Sequence, residues 1–212
     1  MKVALVGATG PVGRRILDEL VSRDHQVFAV VRDVSKVPSH PNVTAVSADA
    51  GDPEGLASAL AGKDAVISAI RFLKTEPEKL VGAVRKSGVK RYIVVGGAAS
   101  LFVPGTKTKL LDSGRIPKEY LPEPTAGSKF LDYLSGVDDL DWTFLSPSGM
   151  FSNDEQFGTK PGGRTGEFRL GKDELLVSDS GESEISYEDY AAALVDELEN
   201  PQHIRQRFTV GY

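Results

Sequence analysis

Three glycines near the start of the chain, Gly7, Gly10 and Gly13, stand three residues apart and directly follow the apolar run of residues 3–6. Glycine allows a tight turn, a close approach of backbone to a ligand, and close packing of a helix on a strand. A helix that begins at such a turn presents unbonded N–H groups and the positive end of its dipole to an anion. The stretch therefore predicts a cradle for the pyrophosphate of a dinucleotide, with contacts from Gly7, Thr9, Gly10, Pro11, Val12 and Gly13.

The residues after the second apolar run, residues 26–31, bear on which dinucleotide is bound. An arginine at this place can pair with the 2′-phosphate of NADP, whereas an acidic residue accepts from the ribose 2′-hydroxyl of NAD. Arg32 comes first and Asp33 second. The order favours NADP(H) over NAD(H). In the alternative reading, Arg32 is a solvated loop charge and Asp33 a turn residue.

Further cofactor contacts are expected where two later apolar runs end. In an open parallel sheet the ligand crevice lies at the carboxyl ends of the strands. Glycine there allows a nicotinamide to approach, or it simply relieves close packing. We interpret these residues as cofactor contacts: Ser68, Ala69, Ile70, Gly96, Gly97 and Ala98.

Apolar runs and amphipathic stretches alternate along the chain, and they would form the elements that position these residues. Strands are predicted at residues 3–6, 26–31, 43–46, 64–70, 91–95, 141–145 and 208–210, with helices between them. This alternation predicts an α/β fold with a doubly wound parallel sheet, a Rossmann fold, as a single domain over residues 1–212. Residues 147–182 are expected to form a small annex, in which residues 166–170 and 174–177 pair as a hairpin.

Bulk properties exclude several classes of function. The 212 residues carry a net charge of −5, so neither nucleic acid nor an anionic membrane is expected as a partner. The three histidines have no metal-ligand spacing, and no metal site is expected. With no cysteine and no apolar stretch of signal-peptide or membrane-spanning length, we expect a cytoplasmic protein. The oligomeric state stays open.

Several motifs at strand ends add to the glycine turn: Val30-Val31-Arg32, Asp49, Val94-Val95-Gly96-Gly97, Leu145-Ser146-Pro147 and the later stretch of residues 185–191. With them the chain resembles the atypical short-chain dehydrogenase/reductases. The NmrA-like branch and its NADH-flavin reductases are the nearest likeness, and biliverdin reductase B is more distant. The resemblance implies NAD(P)H binding, with contacts from Asp49, Ala50 and Pro147. As an alternative, Asp49 would cap the helix that follows Pro53.

The superfamily reduces carbonyls with a Ser, Tyr and Lys set, in which the Tyr and Lys stand four residues apart on one helix. Here Thr125 occupies the place of that tyrosine before Lys129. The helix that carries Lys129 is predicted near residues 127–135. Tyr120 lies nine positions upstream of Lys129, and we expect Pro122 and Pro124 to interrupt any helix between them. Ser100 lies near the position of the family serine. Ser100 and Lys129 are therefore candidates that orient substrate or nicotinamide; otherwise they are local hydrogen-bonding or solvated residues.

The missing tyrosine bears on the reaction. Ketone reduction needs a proton delivered to an alkoxide, whereas a stacked flavin needs mainly a hydride, with protons available from water. The sequence and the resemblance together favour an NAD(P)H-dependent oxidoreductase that reduces a flavin (FMN or FAD) or a similar flat acceptor. A non-catalytic NAD(P)-binding redox sensor is the alternative. An aromatic substrate would rest on Phe72, Phe102, Met150 and Phe151, unless these side chains serve core packing.

Overall fold

The computed structural model describes residues 1–151 and 163–212. Within these ranges, eight strands form one sheet in the order β3-β2-β1-β4-β5-β6-β8-β7, and every neighbouring pair is parallel except β7 with β8. The doubly wound fold predicted from the alternation is confirmed. The strands are β1 Lys2–Val6, β2 Gln26–Val31, β3 Val43–Ser47, β4 Ala65–Ser68, β5 Arg91–Val95, β6 Asp141–Ser146, β7 Arg169–Gly171 and β8 Gln206–Gly211.

In the described part of the chain, five α-helices cover the two faces of this sheet. They are α1 Pro11–Ser22, α2 Pro53–Leu60, α3 Pro77–Ser87, α4 Pro122–Leu134 and α5 Tyr187–Glu199. Helices α1 and α5 pack on one face and α2, α3 and α4 on the other. Successive residues of a strand point to opposite faces, so Val3 and Leu5 of β1 enter one core while Ala4 and Val6 enter the other. Burial on both faces explains why the central strands are continuously apolar.

The order of the strands locates the ligand crevice. Strand β1 lies between β2 and β4. The chain first adds β2 and β3 on one side of β1, and it then crosses over and adds β4, β5 and β6 on the other side. Ligands of open α/β sheets bind at this switch point, outside the carboxyl ends of the strands. The glycine turn joins the carboxyl end of β1 to the start of α1, and it therefore lies at the crevice.

The predicted hairpin between residues 166–170 and 174–177 is wrong in its pairing. Strand β7 pairs antiparallel with β8, placing Leu170 opposite Val210. The backbone after β7 turns instead toward residue 102: the N–H of Phe102 donates to the carbonyl of Asp173 (2.8 Å), and the N–H of Leu175 donates to that of Phe102 (2.9 Å). Each segment thus satisfies backbone groups of a distant element. Residues 152–162 of the predicted annex lie outside the described part of the chain.

Helix α4 begins earlier than the prolines indicated. The predicted start near residue 127 is wrong, because the helix begins at Pro122 and includes Pro124. In the first turn of a helix the backbone N–H groups have no intrahelical acceptor, so proline is tolerated there. Tyr120 precedes the helix in a short 3-10 turn, Lys118–Tyr120. Thr125 and Lys129 are therefore one turn apart on α4.

Candidate functional site

The turn between β1 and α1 is built around Gly7. Its φ is +90°, a left-handed conformation that favours glycine. A Cβ at this position would lie 2.7 Å from the carbonyl oxygen of Ala69, at the end of β4. The N–H of Gly7 also donates to the carbonyl of Val30 in β2 (3.0 Å). Gly7 is thus fixed between the ends of two neighbouring strands.

The other two glycines have separate roles. A Cβ on Gly13 would lie 2.1 Å from the carbonyl oxygen of Gly7, so glycine is required for α1 to approach the turn this closely. Gly10 has ordinary space, with a hypothetical Cβ 3.5 Å from the same oxygen. It precedes α1 as a cap without a side-chain hydrogen bond, and Pro11 follows at the first helical position. The first-turn N–H groups of α1 therefore remain for an anion.

A cavity of about 340 Å³ opens above this turn and brings together nine of the predicted cofactor contacts. They are Gly7, Thr9, Gly10, Pro11, Arg32, Asp49, Ala50, Ala69 and Ile70. Gly13 lies buried beneath the turn, and Val12 packs against the core. The Ser68 side chain turns away into the interior, where its hydroxyl is 2.9 Å from that of Tyr92. The cavity spans the ends of β1, β2 and β4, as the switch point requires.

Three cations line the cavity: Arg32, Arg71 and Lys74. Asp33 does not line it, because its carboxylate accepts from the N–H (3.1 Å) and hydroxyl (2.6 Å) of Ser35. These hydrogen bonds hold the pKa of Asp33 below its ordinary value. Asp33 is therefore a turn residue, and Arg32 is the charge after β2 that faces the cavity.

Among the described residues that line this cavity, Asp49 is the one carboxylate. Its Oδ1 accepts from the N–H of Gly51 (2.8 Å). The helix α2 is capped instead by Asp52, whose carboxylate accepts from the N–H groups of Glu54 and Gly55 (3.2 Å each). The alternative role of Asp49 as the helix cap is therefore wrong.

A smaller cavity of about 170 Å³ lies where β5 ends beside the first turns of α4. Gly96, Gly97, Ala98 and Ser100 line it together with Glu123. A Cβ on Gly96 would lie 2.3 Å from the Phe144 ring, whereas one on Gly97 would meet no atom within 4 Å. Close packing therefore explains the glycine at position 96, whereas Gly97 leaves open space at the end of β5.

The two catalytic candidates face different surroundings. Ser100 is 5% exposed, and its hydroxyl accepts from Nη1 of Arg207 (3.3 Å). Lys129 lines another cavity, of about 490 Å³, with Thr125 and Phe130. Ser100 does not line that cavity. Among the residues that the structure describes, Ser100 and Lys129 therefore line different cavities, and the residue one turn before Lys129 is Thr125 rather than a tyrosine.

The four residues proposed as an aromatic floor are also separated. Phe72 stacks on Phe144, with ring centroids 6.1 Å apart, and borders the small cavity. Phe102 is held elsewhere by its backbone bonds to residues 173 and 175, Met150 is exposed, and Phe151 packs on Tyr187 and Tyr190. Pro147 is buried. The expectation of one floor is wrong, because Phe72 packs on the face of the sheet covered by α2, α3 and α4, whereas Phe151 packs on the face covered by α1 and α5.

Glu123 is a residue of the site that the sequence reasoning missed. Its carboxylate accepts from the N–H groups of Phe72 (2.7 Å) and Leu73 (3.3 Å) and lies 3.5 Å from Nε of Arg71. It therefore ties the segment after β4, which borders the 340 Å³ cavity above the glycine turn, to α4. An acidic residue beside Pro122 was the available signal, but the late predicted start of α4 left it in a loop.

In residues 1–151 and 163–212, three or more His, Asp or Glu side chains nowhere gather in a metal-binding arrangement. The helices of the same ranges include none with the length and apolar character to cross a membrane.

Both the sequence and the fold of this chain are similar to those of known proteins. A family model described as NAD(P)H-binding matches residues 7–201. An uncharacterized protein of Bacillus subtilis, YwnB, is 39% identical over 218 residues, covering 99% of this chain and 98% of that protein. A provisionally named epimerase from Bacteroides thetaiotaomicron has a similar structure, with a TM-score of 0.90 and 40% identity over 100% of this chain and 96% of that one. A provisionally named NADH-flavin reductase from Streptococcus pneumoniae has a TM-score of 0.84 and 34% identity, over 100% and 99%.

Proposed function

Because the chain belongs to the NAD(P)H-binding family, we propose that it passes hydride from NADPH to a flavin or a similar flat conjugated acceptor. The residues fit the dinucleotide. The glycine turn leaves the N–H groups of α1 for the pyrophosphate, and Arg32 offers a guanidinium for a 2′-phosphate. When bound, the reduced nicotinamide supplies the hydride.

The observation that carries this proposal is the pair Thr125 and Lys129 on α4. Carbonyl reduction in the superfamily uses a tyrosine one turn before the lysine, and a threonine hydroxyl is a far weaker acid than a phenol. A flavin takes its protons from water, so its reduction needs positioning more than a proton donor. The open space at Gly97 leaves room for a flat ring at the end of β5. The likeness to a provisionally named NADH-flavin reductase points the same way.

An acceptor screen tests the reaction. The purified protein is mixed with NADPH and, separately, with FMN, FAD, riboflavin, a quinone and a tetrapyrrole, and the absorbance of NADPH at about 340 nm is followed. We expect flavin-dependent loss of NADPH with multiple turnovers. Heat-denatured protein controls for uncatalysed reduction. Absence of turnover with every acceptor, in protein that still binds NADPH, would contradict the proposal.

The cofactor preference is tested at Arg32. Arg32→Ala is expected to weaken NADPH binding about tenfold, because a charge-assisted bond to the 2′-phosphate is lost, and to leave NADH binding unchanged. Asp33→Ala is the matched control, since the Asp33 carboxylate is engaged by Ser35 rather than lining the cavity. Dissociation constants from nucleotide fluorescence measure both. An unchanged NADPH to NADH ratio in Arg32→Ala would refute this role.

A nucleotide-dependent sensor without turnover is the second function that the missing phenol supports. Such a protein changes its affinity for a partner only if the oxidised and reduced nucleotides bind its two states differently. Binding of NADP⁺ and NADPH with clearly different affinity, together with a negative acceptor screen, would favour the sensor. Equal affinity for both forms would leave it without a switching mechanism.

A further inference from the structure

A cavity of about 380 Å³ lies between the later turns of α4, the segment after β5 and the first residues of β8. It shares Ser100 with the small cavity but none of the residues that line the nucleotide cavity. Its volume falls within the range of about 300–1,000 Å³ typical of small-molecule sites. The proposed hydride transfer does not use it.

Cations from separate segments converge on this cavity. Lys109 comes from the segment after β5, Lys172 from the turn after β7, and Arg205 and Arg207 from the start of β8. The carboxylates of the lining are those of Asp132 and Asp173. Among the residues that the structure describes, the lining therefore carries two more positive than negative charges, in a chain whose net charge is −5.

The pairing of these charges leaves cations available. Arg207 is engaged by Asp173, with Nε and Nη2 at 2.8 and 2.5 Å from Oδ1. Lys109 lies 3.9 Å from the Asp132 carboxylate, at the limit of an ion pair. Within residues 1–151 and 163–212, Lys172 has no ion pair or side-chain hydrogen bond, and Arg205 has no carboxylate partner; its Nη1 donates to the carbonyl of Asp138 (3.2 Å).

We propose that this cavity is a second ligand site, which binds a small organic oxyanion bearing a phosphate or carboxylate group. Lysine and arginine form their strongest hydrogen bonds with such groups. Phe102, Leu131 and Trp142 supply an apolar wall for the rest of the ligand. Lys172 and Arg205 bind the anionic group, and Lys109 closes the rim. Arg207 also connects this site to the small cavity, because its Nη1 donates to the hydroxyl of Ser100, which lines both cavities.

Calorimetric titration with inorganic phosphate and with citrate, at constant ionic strength, tests the site. We expect saturable binding of at least one anion that persists when NADP⁺ is saturating. Tighter binding of phosphate identifies a phosphate ester as the ligand class, and tighter binding of citrate identifies a carboxylate. The readout is independent of turnover, so a failed acceptor screen does not affect it.

Two lysine variants and one control locate the anion. Lys172→Ala and Lys109→Ala are each expected to weaken binding about five- to tenfold, through loss of one charge-assisted contact. Lys107→Ala is the matched control, because Lys107 lies on the same segment as Lys109, is exposed, and does not line the cavity. Circular dichroism checks that each variant folds. No saturable binding, equal weakening in all three variants, or full competition by NADP⁺ would overturn the proposal.

Discussion

Gly13→Ala is expected to abolish nucleotide binding and to destabilise the fold together. The new methyl group would lie 2.1 Å from the carbonyl oxygen of Gly7, so α1 must move away from the turn. Overpacking of this kind costs about 1–3 kcal/mol or more of unfolding free energy. The same displacement would move the α1 N–H groups away from the proposed position of the pyrophosphate, so their hydrogen bonds to the anion would be lost. Thermal unfolding and NADPH titration measure the two effects.

Two other glycines are matched controls for this variant. Gly82→Ala changes a position inside α3 where a Cβ meets no atom within 4 Å, so stability should rise by about 0.5–1 kcal/mol and binding should not change. Gly10→Ala has room in the protein but lines the nucleotide cavity. It should keep its stability and lose NADPH affinity. If Gly13→Ala bound NADPH as well as Gly82→Ala does, the assignment of the cradle would be wrong.

Asp189→Ala is expected to give the largest loss of stability outside the cradle. The carboxylate is fully buried in α5 and accepts from the N–H of Thr165 (3.0 Å), the N–H of Gly166 (2.9 Å), and the hydroxyls of Thr165 and Tyr212 (2.6 Å each). Each donor left without an acceptor costs about 1–3 kcal/mol, so we expect a loss of about 3 kcal/mol or more. Denaturant unfolding measures it. Asp196→Ala, at an exposed position of the same helix, is the control.

The same carboxylate gives stability a pH dependence of known sign. Burial alone would raise the pKa of Asp189, but the hydrogen bonds from Thr165, Tyr212 and Gly166 outweigh it and hold the pKa below its ordinary value. The contribution is therefore fully present above the unfolded-state pKa of about 3.9 and is lost as pH falls through that value toward the folded-state pKa. Asp189→Asn should show a shallower loss of stability below about pH 4 than the parent protein. Equal slopes would contradict this account.

The sequence predicted the sheet and the glycine turn well because both depend on local patterns. A strand buried on both faces must be continuously apolar, so the central strands were visible as runs of residues. A side chain on Gly13 would clash with the Gly7 carbonyl oxygen of the same turn, and a side chain on Gly7 would clash with the backbone of Ala69 after β4. The strand order places β1 directly beside β4. Which of Arg32 and Asp33 lines the cavity also depends largely on a local contact, because the Ser35 hydroxyl donates to the Asp33 carboxylate within the turn.

Other features depended on contacts that no local pattern contains. Residues 174–177 had the composition of a strand, but the backbone of residue 102 and the edge of β8 determined which segments paired. The predicted start of α4 is too late in the chain. Proline is unfavourable inside a helix but acceptable in its first turn, and the sequence alone does not show which of these positions Pro122 and Pro124 occupy.

The sequence by itself determined the class of fold, the place of the glycine turn and the absence of a tyrosine one turn before Lys129. Tertiary structure alone decided that Ser100 and Lys129 face different cavities, that Glu123 ties the segment after β4 to α4, and that four cations from distant segments share one cavity. The physical reason is the range of the interactions. Helix and strand periodicity is written in neighbouring residues, whereas a cavity is formed by side chains up to about a hundred residues apart, whose meeting depends on the packing of the whole sheet.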